Sequence, residues 1–191
     1  GGVCQSGGQG DPVVLYDSIA NRWLVSQFAG SGGTPTDECI AISQTSDATG
    51  SWHRYGFHLG SNFFDYPHLG VWPDGYYMSD NVFNAAGTQR LGPQPFVFDR
   101  VAMLAGNPAT FITPGITVNA NQPYALPADL DGNEMPAVGT PCPFIEFPSS
   151  GTYRTWLYHA DFVNPANSTY TQRTSPAAAP FTQLSTGVPQ L

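Results

Sequence analysis

GDPVVLYDSIANRWLVSQF (residues 10–28) and DYPHLGVWPDGYYMSDNVF (65–83) follow one pattern. Each opens with an aspartate one or two residues before a proline, continues as an apolar run, breaks at a polar turn and resumes with an aromatic. Each then carries a serine with a phenylalanine two or four residues later. Working outward, CIAISQT (39–45) and SWHRYGFHL (51–59) are two further strand-like runs, separated by the turn SDATG and preceded by the loop AGSGGTPTDE (29–38). Short runs of this kind joined by tight turns predict a four-stranded antiparallel meander of about 50 residues.

The pattern then restarts. The strand, Pro-Asp-Gly turn and strand in HLGVWPDGYYMSDNVF are followed by FVFDRVAMLAG (96–106) in the third-strand position and ATFITPGI in the fourth. A more degenerate third unit opens at LPADLDGNEMPAVGTPCPFIEF (126–147) and continues into TYRTWLYHADF (152–162). The chain as a whole (1–191) therefore reads as one all-β unit: repeat one over 11–60, repeat two over 65–118, a degenerate repeat over 126–162, and a Pro/Ser/Thr/Ala-rich connection over 163–191. The expected architecture is a partial β-propeller of about three four-stranded antiparallel blades. The alternative is a β-sandwich. Three blades do not close a ring, so the remaining blades are expected from elsewhere in the same chain or from a cleaved one.

Composition supports a folded β chain. With 41% apolar and 13% aromatic residues it has the material for a core, and 21 Gly with 18 Pro leave little room for helices. Six Lys plus Arg, all of them Arg, stand against 14 acidic residues for a formal charge of −8. Such an acidic surface has no basic stripe to bind nucleic acid or an anionic membrane. No apolar run is long enough to span a bilayer. The sequon Asn167-Ser168-Thr169 is a candidate glycosylation site in a secreted chain. Cys4, Cys39 and Cys142 match no zinc pattern. A Cys4–Cys39 disulfide is expected to tie the leading segment to the strand that Cys39 opens, leaving Cys142 free and buried or bonded to a cysteine outside this chain.

GDPVVLYDSIANRWLVSQF, CIAISQTSDATGSWHRYGFHL and DYPHLGVWPDGYYMSDNVF, with ALPADLDG and LYHADFVNPANSTY, resemble segments of a group of large secreted microbial proteins with predicted β-propeller domains. The resemblance covers most of the chain. It implies a propeller fold, a secreted location and a domain larger than these residues, and it brings no catalytic residues. TSDATGSW (45–52) is also a loose match to the Asp-box turn of sialidase-type propellers, with its glycine displaced by one position.

Candidate functional residues are few. Asp11 and Asp65, leading into equivalent strands, are expected near one mouth of a central channel, where clustered carboxylates favour a hard cation such as Ca²⁺. DLDGNE supplies Asp129, Asp131, Asn133 and Glu134 as a second candidate calcium set, without the flanking helices of an EF-hand. Trp72 and Tyr76 are candidates for stacking on sugar rings, and His159, on one strand face with Asp161, is a ligand-binding candidate suited to acid–base work or metal binding, with a hydrogen bond between the two as the alternative. Motifs of serine hydrolases and zinc proteases are lacking. The expected activity is binding of a glycan or other extracellular ligand, or a structural role. The alternative is a polysaccharide-cleaving hydrolase or lyase acting at the channel mouth.

Overall fold

A computed structural model describes residues 2–114, 119–132, 134–149, 151–173 and 176–182. These form three consecutive four-stranded antiparallel sheets. The first contains β1 (Gly8–Asp17), β2 (Arg22–Ser31), β3 (Thr34–Ser43) and β4 (Trp52–His58). The second contains β5 (Phe63–Trp72), β6 (Gly75–Phe83), β7 (Arg90–Phe98) and the two-residue β8 (Phe111–Ile112). The third contains β9 (Ala125–Pro127), β10 (Cys142–Ser149), β11 (Thr152–His159) and β12 (Thr169–Gln172). In each sheet, spatial order follows chain order. Two short α-helices, α1 (Val3–Ser6) and α2 (Arg100–Leu104), and one 3-10 turn (Pro165–Asn167) complete the described fold.

Side-chain alternation sets how the sheets pack. In β6, Tyr76, Met78 and Val82 enter a core shared with Leu24, Ile40, Ile42 and Phe57 of the first sheet. The opposite phase carries Tyr77, which joins Trp72, Val97 and Ile112 in a core with Cys142, Phe144, Tyr158 and Tyr170 of the third. Period-two alternation with both phases apolar is what a sheet buried on both faces requires. The second sheet is thus the middle layer, and β5 meets β1 and β3 on one side and β9 on the other.

Several observed boundaries differ from the sequence reading. The loop expected over 29–38 is mostly strand, because Gly32 and Gly33 (φ 68° and 87°) make a two-residue hairpin that lets β2 and β3 run on to Ser31 and from Thr34. The third strand of the second unit ends at Phe98, where the Asp99 carboxylate accepts a hydrogen bond from Ala102 N (3.0 Å) and starts α2. The third unit reaches Gln172, since β12 pairs with β11 from within the segment expected to be a connection. Cys4 and Cys39 are disulfide-bonded as expected, holding α1 on the outer face of the first sheet, and Cys142 is free and buried. Gly56 makes room for this bridge, since a Cβ there would lie 2.9 Å from Cys4 Sγ.

A buried ion pair joins the first two layers. Arg100, at the start of α2, donates to both carboxylate oxygens of Asp17 at the end of β1 (2.7 and 3.0 Å), and Tyr76 O–H donates to the same carboxylate (2.8 Å). Burial alone would raise the Asp17 pKa, but these bonds outweigh it and hold the carboxyl below its usual range. Between the second and third layers, Leu130 N donates to Val71 O (3.1 Å) and Tyr158 O–H to Ile112 O (2.8 Å).

Arg100→Ala strands a buried carboxylate, so it should destabilise the fold by about 3–5 kcal/mol in urea titrations. Adding Asp17→Asn to that variant should recover part of the loss. Equal stability of Arg100→Ala and the parent chain would remove this pair from the joint.

Candidate functional site

The first two sheets repeat an unusual backbone feature side by side. Register shifts fall between Gly10 and Val13 in β1 and between Asp65 and His68 in β5. At each bulge the residue before proline takes a positive φ: Asp11 at 47° and Tyr66 at 59°. Thus Pro12 matches Pro67 and Asp11 matches Tyr66, which corrects the sequence alignment of Asp11 with Asp65 by one residue. A tyrosine in this conformation is strained, on the order of 1–3 kcal/mol, and persists only where neighbours hold it. Tyr124, just before β9, does so by sharing its one hydroxyl proton between Tyr66 O and Ser79 O (2.9 Å to the latter).

The two bulges line a shallow open pocket formed by Asp11, Pro12, Val13, Tyr66, Pro67 and His68. Tyr66 is 53% exposed. Its ring packs edge-to-face on His68 (4.6 Å between centroids) and on Tyr124 (5.1 Å). Burial lowers the His68 pKa, keeping the imidazole neutral at neutral pH. Burial, followed by the charge of Asp11, raises the Asp65 pKa. The structure therefore brings Asp11 and Asp65 within electrostatic reach, with an aromatic cluster beside them.

Beneath this surface lie two acids that the sequence reading did not single out. Glu38 in β3 and Asp80 in β6 are each 1% exposed. Burial pushes the Glu38 carboxyl up to about 8. Burial, then the charges of Glu38 and Asp65, raises Asp80 well above the carboxylate range. The signal was present in the alternation: Glu38 is in phase with Ile40 and Ile42, and Asp80 with Met78 and Val82.

The other sequence candidates are distributed elsewhere. Asp129 accepts a hydrogen bond from Val71 N (2.7 Å) and links the middle and third sheets. Asp131 and Glu134 are exposed, and Asn133 lies outside the described residues. Among the described residues, no three His, Cys, Asp or Glu side chains form a group able to hold a metal ion. Tyr76 is fully buried against Asp17, and Trp72 is buried with its indole N–H donating to Thr140 O (2.8 Å), so both rings serve the interior. His159 is half-buried at the end of β11, while Asp161 accepts from Val163 N, Asn164 N and Asn167 Nδ2 in the following loop. Asn167 is exposed there. The Asp-box-like turn is self-contained: Asp47 Oδ1 accepts from Thr49 N (2.9 Å) and Thr49 O–H (2.7 Å).

No family model matches the chain, and neither a curated protein nor a solved structure is significantly similar to it.

Glu38 is protonated in the folded state over a pH range where it is ionised when unfolded. Its contribution is fully present below about 4.5 and lost as pH rises through about 8. In EDTA-containing buffer, stability should therefore fall between these limits by up to about 1.4 kcal/mol per pH unit. Asp80 acts in the same direction. Glu38→Gln should flatten that decline in urea titrations at successive pH values, and an unchanged profile would mean that Glu38 is not the titrating group.

Proposed function

We propose that the chain is part of a secreted β-propeller that binds a glycan or other extracellular ligand through the pocket at Asp11, Tyr66 and His68. The observation that carries this reading is the matched pair of strained pre-proline positions, which presents an exposed tyrosine beside two carboxylates. An aromatic face flanked by hydrogen-bonding acids suits a sugar ring, with its apolar face and its ring of hydroxyls. Backbone strain concentrates at sites where a side chain has to be aimed.

In this reading the three sheets are successive blades. The first sheet keeps Val14 and Tyr16 exposed on its outer face and the third keeps Ile145, surfaces that further blades of the same or a cleaved chain would cover. The Cys4–Cys39 disulfide suits an oxidising extracellular setting. Among the described residues no helix is long and apolar enough to cross a membrane. Exposed Asn167 supports glycosylation in a host that modifies sequons.

A second reading is favoured by one observation. A neutral His68 beside Tyr66, Tyr124 and the raised Asp65 is a set of groups capable of proton transfer, as polysaccharide hydrolysis or lysis requires. The two readings separate in one experiment. The chain is screened on a glycan array and incubated with the polysaccharides it retains. Binding without new reducing ends or unsaturated products is expected, and Tyr66→Ala should weaken it by about tenfold or more, equivalent to about 1.4 kcal/mol. Product formation abolished by His68→Ala would establish the enzyme. Retention of no glycan at all would reject the lectin-like reading.

A further inference from the structure

Four buried side-chain oxygens at the seam between the first and second sheets have no hydrogen-bond partner: Ser26 Oγ, Glu38 Oε1 and both carboxylate oxygens of Asp80. Strand alternation aims all three side chains into the seam, Ser26 and Glu38 from the first sheet and Asp80 from the second. Ser26 is in phase with Leu24, Glu38 with Ile40 and Ile42, and Asp80 with Met78 and Val82, and these apolar residues form the shared core of the two sheets. Ser26 lies beside the Glu38 carboxyl without reaching hydrogen-bond geometry, and Glu38 is the charge that Asp80 feels most.

The contrast with the other buried acids is informative. Asp17 is answered by Arg100, and Glu146 by Arg154 and the Trp156 indole N–H. Neither Glu38 nor Asp80 has a cationic side chain within ion-pair distance among the described residues. Buried polar atoms without partners are rare and costly, and two acids facing each other across a seam compound that cost.

We propose that Ser26, Glu38 and Asp80 form an internal binding site for a hard divalent cation, with Ca²⁺ as the ion whose chemistry fits best. Every donor is oxygen, which selects a hard ion over zinc or copper. Two carboxylates match a double positive charge. A donor set drawn from two sheets is irregular, which Ca²⁺ tolerates and Mg²⁺ does not, and water or main-chain oxygens complete the shell. The site holds only two carboxylates, and its third protein donor is a hydroxyl. A line of carboxyl groups leads to it: Asp11 is exposed, Asp65 feels Asp11, and Asp80 feels both Asp65 and Glu38. Such a line draws a cation inward from the pocket. Bound there, the ion would cross-link the first two sheets directly beneath the pocket.

The test is calorimetric titration of CaCl2 and MgCl2 into EDTA-stripped protein at pH 7.5, paired with thermal melts. A single Ca²⁺ per chain, bound well ahead of Mg²⁺, should raise the melting temperature by several degrees. Asp80→Asn and Glu38→Gln should still fold in EDTA, since each removes a buried ionisable group, yet lose about a hundredfold or more in Ca²⁺ affinity. Asp131→Asn, in the exposed Asp-Gly turn, should bind Ca²⁺ like the parent chain. Absence of Ca²⁺ binding overturns the proposal, as does binding that survives Asp80→Asn or disappears with Asp131→Asn.

Discussion

The rest of the structure depends on one constraint: the second sheet has a layer on each face. Its strand β6 has no solvent phase to use, so Tyr76, Met78 and Val82 pack one way and Tyr77 the other. Polar groups placed on such a strand have to be satisfied inside the protein. Tyr76 and Tyr77 do this through their hydroxyls, bonded to Asp17 and Asp74 respectively. Ser79 does it through Ala125 O of the third sheet. The tyrosines therefore fill space as aromatic bodies and act as joints at their tips. Asp80 is the one member of this strand whose side chain has no such answer.

The scarcity of cations gives that exception its weight. The chain has six basic side chains, all Arg, and two of them are used on buried acids. The guanidinium of Arg100 suits the role, because its planar fork reaches both oxygens of Asp17 while accepting contact with the Tyr76 ring. Removing an acid from water without such a partner leaves two physical outcomes, protonation or capture of an external cation. Protonation relieves the charge but leaves the oxygens of Asp80 unbonded, whereas a cation satisfies both charge and coordination.

Much of the layer order was legible because it rests on local rules. Alternating apolar runs between turn residues gave the three meanders, and Cys4–Cys39 followed from which segment needed tethering. Boundaries were lost where two local signals conflict. Gly-Gly followed by Pro35 reads as loop, yet the positive φ of Gly32 and Gly33 is what a tight hairpin needs. FVFDRVAML reads as one strand by hydrophobicity, yet Asp99 is placed to cap a helix. The pocket was half legible. Asp11 and Asp65 pointed to it, but the equivalence of Asp11 with Tyr66 depends on a bulge, which shifts register by one residue without changing composition. Glu38 and Asp80 were visible as acids in the apolar phase, but alternation alone does not reveal that no Arg faces them.

Pocket and seam are coupled through Tyr124. Its hydroxyl clamps the strained Tyr66 backbone and bonds Ser79 O, next to Asp80 in the chain. Burial and then the charge of Asp80 raise the Tyr124 pKa, so the state of the buried acids is felt at the clamp. Tyr124 also precedes β9, which belongs to the third sheet. The conformation of Tyr66 thus draws on two layers: the second sheet, which carries it, and the clamp delivered by the segment leading into the third. Without that clamp, the strained Tyr66 backbone is expected to relax towards negative φ. The ligand recognition proposed for this surface would therefore be a property of the stacked sheets and not of a single four-stranded unit.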